Sequence, residues 1–448
     1  MAINALYLPD WTVTSVEHHK GHYVLNATYD LLPDACPKCG VVGRLYKHGA
    51  KIVDYVDAPV HGRPTTVRVT VQRFRCRECG ATSMQPLPDM DSRRQMTVRA
   101  REYIEEQGMV RTYASVARDM HIEETTVRSI CNDVIEAINA SHKVTAPVVL
   151  GIDELTLLGH RRTIFTDTGE RRVLDIAKDM TQTTVARWLS KLPDKDRIRI
   201  VTIDMWSAYR KAAYATLPGV IVIADKWHVQ KTCAMALDGV RARIRAGIGQ
   251  RRRGAHSARR LLHMSRHKLT PKREAVLEKA LFTSPLLYDA WTCKEDFYDI
   301  WTAESRADAE RMFEAWKTKI PDTLKEFAKV AKTIEDWREE VFAYFDHRYT
   351  DAYTEAANGL IKIASRAGRG YRFEAIRARA LITSGDMPKM AVCEECLGQY
   401  PVTPIQSGRD VIHRINIAGH RERGDKVICQ RCQHFHIMKW LTRHDRST

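Results

Sequence analysis

The chain has 448 residues, 44% hydrophobic and 28% charged, with a formal net charge of +16 at pH 7. That length is too great for one core and predicts two to four domains, and the surplus of Lys and Arg favours a polyanionic partner, most simply nucleic acid. No apolar run reaches the roughly 18 residues of a membrane helix, and the opening MAINALYLPDWTV has no basic stretch ahead of an apolar one, so a cytoplasmic, nucleoid-associated protein with no membrane partner is expected.

The eleven cysteines are clustered, eight of them in four Cys-x-x-Cys pairs: Cys36/Cys39, Cys76/Cys79, Cys393/Cys396 and Cys429/Cys432. Two such pairs supply four thiolates to one tetrahedral zinc, which stabilises small folds that lack a core of their own. CPKCG and CRECG each place a glycine after the second cysteine, where a tight knuckle needs one. Disulfides are the alternative, and a reducing compartment argues against them. Zn²⁺ is therefore expected at both quartets, while Cys131, Cys233 and Cys293 read as buried thiols within helices.

Residues 1–92 form an N-terminal zinc-binding domain in this reading. VRVTVQRFRC, residues 67–76, alternates apolar and polar positions as a half-buried strand does and delivers Cys76 to the metal. Pro86, Pro88 and residues 89–94 read as a linker. Arg73, Arg75 and Arg77 would grip DNA, unless the module is a purely structural lid. Residues 93–145 carry three helical patterns, at 97–107, 113–120 and 124–139, with a short turn at His121 and Ile122. That layout is a helix-turn-helix whose Thr125, Thr126 and Arg128 would face the major groove. A three-helix bundle without DNA is the competing view.

From Pro147 the rhythm becomes that of an α/β domain, and residues 146–235 are read as the first part of its core. VVLGIDELTLL is a strand carrying Asp153, RTIFTDTGERRVLDIAKDM a hairpin, and residues 183–192 a helix closed by Pro193. IRIVTID, a helix at 207–215 and the strand GVIVIADKWH follow. The order β, β, β, α, β, α, β is that of an RNase H-like α/β fold. Asp153 lies on the first strand and Asp204 on the strand after the first helix, which are neighbours in that order. A carboxylate at the end of a buried strand, as Asp204 is, is expensive to desolvate unless something positive sits beside it. Glu154 should point to the opposite face. Asp225 and His228 lie near the site, either assisting it or merely capping the next helix.

Residues 236–347 are read as a large helical, basic insertion. Between Arg241 and Arg273 there are twelve Lys or Arg residues and no acid, which suits contact with a phosphate backbone through Arg251, Arg252 and Arg253; a solvated basic helix is the alternative. Phe297, Trp301, Phe313, Trp316, Phe327, Trp337 and Phe342 recur at helical intervals and read as a core rather than as a base-stacking platform. Residues 348–385 would close the core with helices that return Glu355 to the two aspartates, flanked by the cations Lys362, Arg366 and Arg369 for DNA. Residues 386–448 form a small C-terminal zinc-binding module.

The stretches GIDELT, VTIDMWSAY, VIADKWHV and TEAANGLIKIASRAGRGYRFEAIRAR resemble the catalytic core of the ISL3 family of insertion-sequence transposases, of the DDE class. The cysteine quartet followed by a helix-turn-helix resembles that family's front end, and the resemblance covers residues 35–382. It implies a metal-binding triad of Asp153, Asp204 and Glu355 holding Mg²⁺ or Mn²⁺, with Asn358, Ile361 and Lys362 matching the residues after the glutamate. Ala356 departs from the glycine common there. It further implies cleavage of the element ends, strand transfer into target double-stranded DNA, and a homodimer in the active complex. A structure-specific nuclease on the same fold and a DNA-binding regulator derived from a transposase are the rival readings.

Overall fold

A computed structural model describes residues 10–19, 21–247, 259–282, 284–368 and 370–383, together with the strands at 390–392, 399–407 and 410–415. These residues fall into two compact units, divided near residues 142 and 363.

The first unit is built on a mixed sheet of β1 (Trp11–His19), β2 (His22–Tyr29), β3 (Leu45–Val60), β4 (Arg63–Cys76), β5 (Thr82–Met84), β6 (Met90–Asp91) and β7 (Met96–Thr97). The strand order is β1-β2-β4-β3-β7-β6, with β5 on β4. Alternation along β4 works as its sequence requires: Val67, Val69 and Val71 are buried against Trp11, Leu25 and Tyr55, while Arg73 and Arg75 stay exposed. The segment read as a linker is instead part of this sheet. β6 pairs with β7, β7 pairs with β3 at Val56, and Trp11 Nε1 donates to Asp89 Oδ2 at 2.8 Å. Two-residue strands are too short to leave a periodic signal, so only the prolines showed in the sequence.

Three helices follow: α1 (Val98–Val110), α2 (Tyr113–Met120) and α3 (Glu124–Ser141). Thr97 and Thr112 cap the first two by accepting from the backbone N–H of Ala100 and Ser115. His121 ends α2 in the left-handed region at φ 55°, which makes the turn predicted at His121 and Ile122. The helix Phe373–Thr383 belongs to this unit. Its Arg379 is buried, donates to Arg111 O at 3.0 Å and lies over the Tyr371 ring at 4.2 Å.

The second unit centres on a five-stranded sheet in the order β10-β9-β8-β11-β12, formed by β8 (Val149–Leu157), β9 (His160–Asp167), β10 (Arg172–Ala177), β11 (Ile200–Ile203) and β12 (Ile221–Ala224). β8, β9 and β10 are antiparallel, whereas β11 runs parallel to both β8 and β12. The short parallel strands β11 and β12, IVTI and IVIA, are almost wholly apolar because both their faces are covered. Helices α4 (Gln182–Ser190), α5 (Ser207–Thr216) and α6 (Lys226–Gly247) connect and flank the sheet, with Phe165 stacked on Trp188 at 3.7 Å. Further helices, from Arg259–His263 to Arg338–His347, share a continuous apolar core with it. Phe297, Trp301, Phe313, Trp316, Phe327, Trp337 and Phe342 are all buried there, so they are packing residues.

The last strands, Met390–Val392, Gln399–Ser407 and Asp410–Ile415, pair antiparallel in that order. Cys393, Cys396, Cys429 and Cys432 lie outside the described residues, as do Arg251, Arg252, Arg253 and Arg369.

Candidate functional site

Two groups of ligand-type side chains come together among the described residues. The first is Cys36, Cys39, Cys76 and Cys79, whose sulfurs all lie within 4.8 Å of one another. Cys36 Sγ is 3.7 Å from Cys79 Sγ, and Cys39 Sγ is 3.8 Å from Cys76 Sγ. A tetrahedron with Zn–S bonds of about 2.3 Å has edges of about 3.8 Å, so the sulfurs stand at the spacing of zinc ligands, too far apart for disulfides. The knuckles are made by the backbone: Gly40 N donates to Cys36 O and Gly80 N to Cys76 O, with positive φ at both glycines. N–H groups of Cys39 and Lys38 bring the Cys36 thiol down to about 6, toward the thiolate that a metal needs, while burial and the other three sulfurs push Cys39 the opposite way. Cys131, Cys233 and Cys293 are buried free thiols, raised above the ordinary range by desolvation.

The second group is acidic and follows from strand register. Ile152 pairs with Ile203, and Ile203 with Ala224. The next residue of each chain segment is Asp153, Asp204 and Asp225, so three aspartates line up on one face across three neighbouring parallel strands, Asp153 within β8 and the other two just past the ends of β11 and β12. The helix Ala352–Ala367 closes over that face. Asn358 Nδ2 donates to Asp153 Oδ2 at 2.8 Å and to Glu154 O at 3.2 Å, and the hydroxyls of Thr166 and Thr354 meet at 2.8 Å. Gly151 permits this approach: a Cβ there would stand 2.4 Å from Thr166 Oγ1 and 2.6 Å from Thr354 Oγ1. Glu154 pairs with Arg161 on the opposite side of the strand, as alternation requires.

Asp225 is a cap. Its Oδ1 accepts from the N–H of Trp227 and His228 at the start of α6, and its Oδ2 accepts from Asp351 N at 3.0 Å. Asp351, which the sequence reading passed over, is fully buried one residue before the closing helix and takes the Thr202 hydroxyl on its Oδ1. Its signal was its place directly ahead of the helix in YTDAYTEAANG. Asp204 Oδ1 and Asp351 Oδ2 are buried with no hydrogen-bond partner.

These like charges disturb one another. Burial, and then the nearby Glu355, Asp225 and Glu154 charges, push Asp153 up to about 6. Asp204 is pushed up to about 7, by burial first and by Asp153 second. Asp351 is held well above the usual carboxylate range by burial and by Asp225, Asp153 and Asp204. A cluster of hard oxygen donors that resists ionisation, with an orphaned oxygen at its centre, suits a divalent cation. The ligand atoms that lie within 4.8 Å of one another belong to Asp153, Asp204 and His228. Glu355 is exposed in the first turn of the closing helix, raised by burial and by Asp225, and near enough for its charge to raise Asp153.

Of the residues expected to touch DNA, Thr125 is exposed and Thr126 half-buried at the start of α3. Arg128 is engaged within its own unit, paired with Glu124 and lying over Tyr113 at 5.5 Å. Lys362 is half-buried, its charge holding Glu154 down alongside Arg161, and Arg366 is exposed. No described helix is long and apolar enough to cross a membrane.

Comparison with known proteins agrees with this layout. Residues 150–380 match a family of ISL3 elements described as transposase. Residues 32–79 match the zinc-finger of transposases IS204, IS1001, IS1096 and IS1165, and residues 85–135 the helix-turn-helix domain of transposase family ISL3. The transposase for insertion sequence element IS1001 of Bordetella parapertussis is 23% identical over 346 residues, which is 75% of this chain and 85% of the relative. The transposase for element IS1557 of Mycobacterium tuberculosis is 25% identical over 276 residues, 54% of this chain and 61% of the relative.

Proposed function

Because the chain belongs to the ISL3 family of transposases, we propose that the face formed by Asp153, Asp204 and the Glu355 helix is the centre at which it cuts and joins DNA. The protein is a DNA-binding transposase with a zinc ribbon and a helix-turn-helix ahead of its transposase domain. The finer reading is an RNase H-like core with Asp153, Asp204 and Glu355 as the catalytic carboxylates. The observation that carries it is the strand register that places Asp153 and Asp204 side by side, with Asp204 Oδ1 buried and unpartnered.

A divalent ion, Mg²⁺ or Mn²⁺, held at these carboxylates would neutralise charge at the attacking and leaving oxygens of an in-line phosphoryl displacement. The chain's own contribution is position. Asn358 fixes Asp153 through its Oδ2, β11 fixes Asp204, and the helix beginning at Ala352 carries Glu355 to the rim, where the scissile phosphate and the attacking water or 3′-hydroxyl would stand. Arg161, Lys231 and Lys362 lie near the carboxylates and would attract the phosphate backbone. Thr125 and Thr126 on α3 would read element ends in the major groove, and Arg251, Arg252, Arg253, Arg366 and Arg369 would add phosphate contacts. Two copies of the chain, one for each end, would make the active complex, and the second cysteine quartet would hold a second zinc.

The test is Asp204→Asn. It keeps the shape of the site, removes one anionic ligand and is expected to abolish Mg²⁺-dependent cleavage of element-end DNA while leaving binding by gel shift within about twofold. Cleavage at the wild-type rate in that variant would remove Asp204 from the chemistry.

A further inference from the structure

His228 occupies the first turn of α6, immediately beyond the cap that Asp225 provides. We propose that an imidazole nitrogen of His228 is a direct ligand of the cation at Asp153 and Asp204, so that the ion is held by two carboxylates and one histidine. This deepens the reading of the site as a catalytic metal centre and rests on it.

Three observations lead there. One ligand atom each of Asp153, Asp204 and His228 lies within 4.8 Å of the others. Ligands about 2.0–2.2 Å from a shared ion stand no more than about 4.4 Å apart, so small side-chain adjustments close the set. The ring of His228 is also placed without using its own nitrogens. Its backbone N–H is held by Asp225 Oδ1 and its ring packs beside Trp227 at 4.8 Å, while among the described residues neither ring nitrogen has a hydrogen-bond partner. A half-buried imidazole beside an orphaned carboxylate oxygen is an available donor. Finally, Glu355 is exposed and is not among the atoms that cluster at this spacing. It is left to meet a second ion or the substrate at the rim.

Replacing a third carboxylate by a neutral nitrogen donor lowers the charge of the ligand set from −3 to −2 and moves its preference toward Mn²⁺ and away from Mg²⁺. Asp225 becomes a positioning residue, holding the helix start that aims His228.

The experiment uses the full-length protein with its zinc retained and Mn²⁺ as the probe. Electron paramagnetic resonance titration gives the affinity, and electron spin echo modulation reports any nitrogen bound to the manganese. The wild type is expected to show nitrogen modulation that disappears in His228→Ala, with Mn²⁺ binding weakened about tenfold or more. His228→Asp, which restores an oxygen donor, should recover most of the affinity without the nitrogen signal and lower the Mn²⁺ over Mg²⁺ preference. Nitrogen modulation that persists unchanged in His228→Ala, or a wild type that binds Mn²⁺ with none, overturns the proposal while leaving the catalytic site standing. Mn²⁺ binding unchanged in Asp204→Asn brings down the metal centre itself, and this proposal with it.

Discussion

Asp204→Asn should make the metal-free protein more stable at pH 8 even as it ends catalysis. Burial and the Asp153 charge move the Asp204 carboxyl from its ordinary 3.8 up to about 7. An acid whose folded value is raised keeps its full contribution to stability below the unfolded value and loses it as pH climbs through the folded one, so the loss falls between about pH 4 and pH 7. At roughly 1.4 kcal/mol per pH unit, the displacement amounts to about 4 kcal/mol, and about half of that once screening by nearby solvent is allowed for. Asparagine has no charge to desolvate and should recover about 2 kcal/mol at pH 8. For a unit of this size that is a rise in Tm of about 4–8 °C. Scanning calorimetry in Mg²⁺-free buffer measures it, with no chelator present because chelation would strip the thiolate zinc. The gap between variant and wild type should close at pH 4, where the wild-type carboxyl is protonated. Added Mg²⁺ should raise the wild-type Tm at pH 8 and leave that of the variant nearly unmoved. A variant that melts below the wild type at pH 8, or by the same margin at both pH values, would refute the electrostatic reasoning.

Two further outcomes follow from the geometry. Cys76→Ser should lower the zinc content, measured by mass spectrometry of the purified chain, by one ion per chain and unravel the end of β4, since four thiolates within 4.8 Å hold one metal. Gly151→Ala drives a methyl group to 2.4 Å from Thr166 Oγ1 and 2.6 Å from Thr354 Oγ1, and should cost about 1–3 kcal/mol in denaturant unfolding while weakening Mn²⁺ binding by pushing the Asn358 helix off the sheet. Unchanged midpoints would mean that the helix does not press on β8 as described.

Much of this was legible in the sequence because the relevant signals are local. Period-two alternation marks β4, the Cys36/Cys39 and Cys76/Cys79 pairs mark a thiolate site, and apolar runs ending in aspartate mark β8, β11 and β12. The His121 turn between two helical patterns marked the helix-turn-helix. What could not be read was anything fixed by distant partners. The segment before α1 looks like a linker until β7 finds Val56 and Asp89 finds Trp11.

The acidic face shows why such contacts decide which carboxylates can serve a cation. Asp153 lies within β8, Asp204 and Asp225 directly follow β11 and β12, and Asp351 directly precedes a helix, and nothing in their immediate sequence says which of them can serve a cation. Hydrogen bonding does. Both oxygens of Asp225 are spent on backbone N–H groups, two at the start of α6 and one at Asp351. Asp351 is fully buried, and its Oδ1 is taken by the Thr202 and Thr354 hydroxyls. Asp153 keeps one oxygen on Asn358, while Asp204 keeps a buried oxygen with no partner at all. An unsatisfied buried oxygen costs about 1–3 kcal/mol, and the folded chain bears that cost at Asp204, beside the incompletely bonded Asp153, and again at Oδ2 of the fully buried Asp351. Asp225 caps the helix that carries His228, and Asp351 links Thr354 in the first turn of the helix that carries Glu355 to Thr202 on β11, one of the strands whose register sets the aspartate pair. Ligands drawn from distant parts of the chain are thereby tied to the same strands by hydrogen bonds.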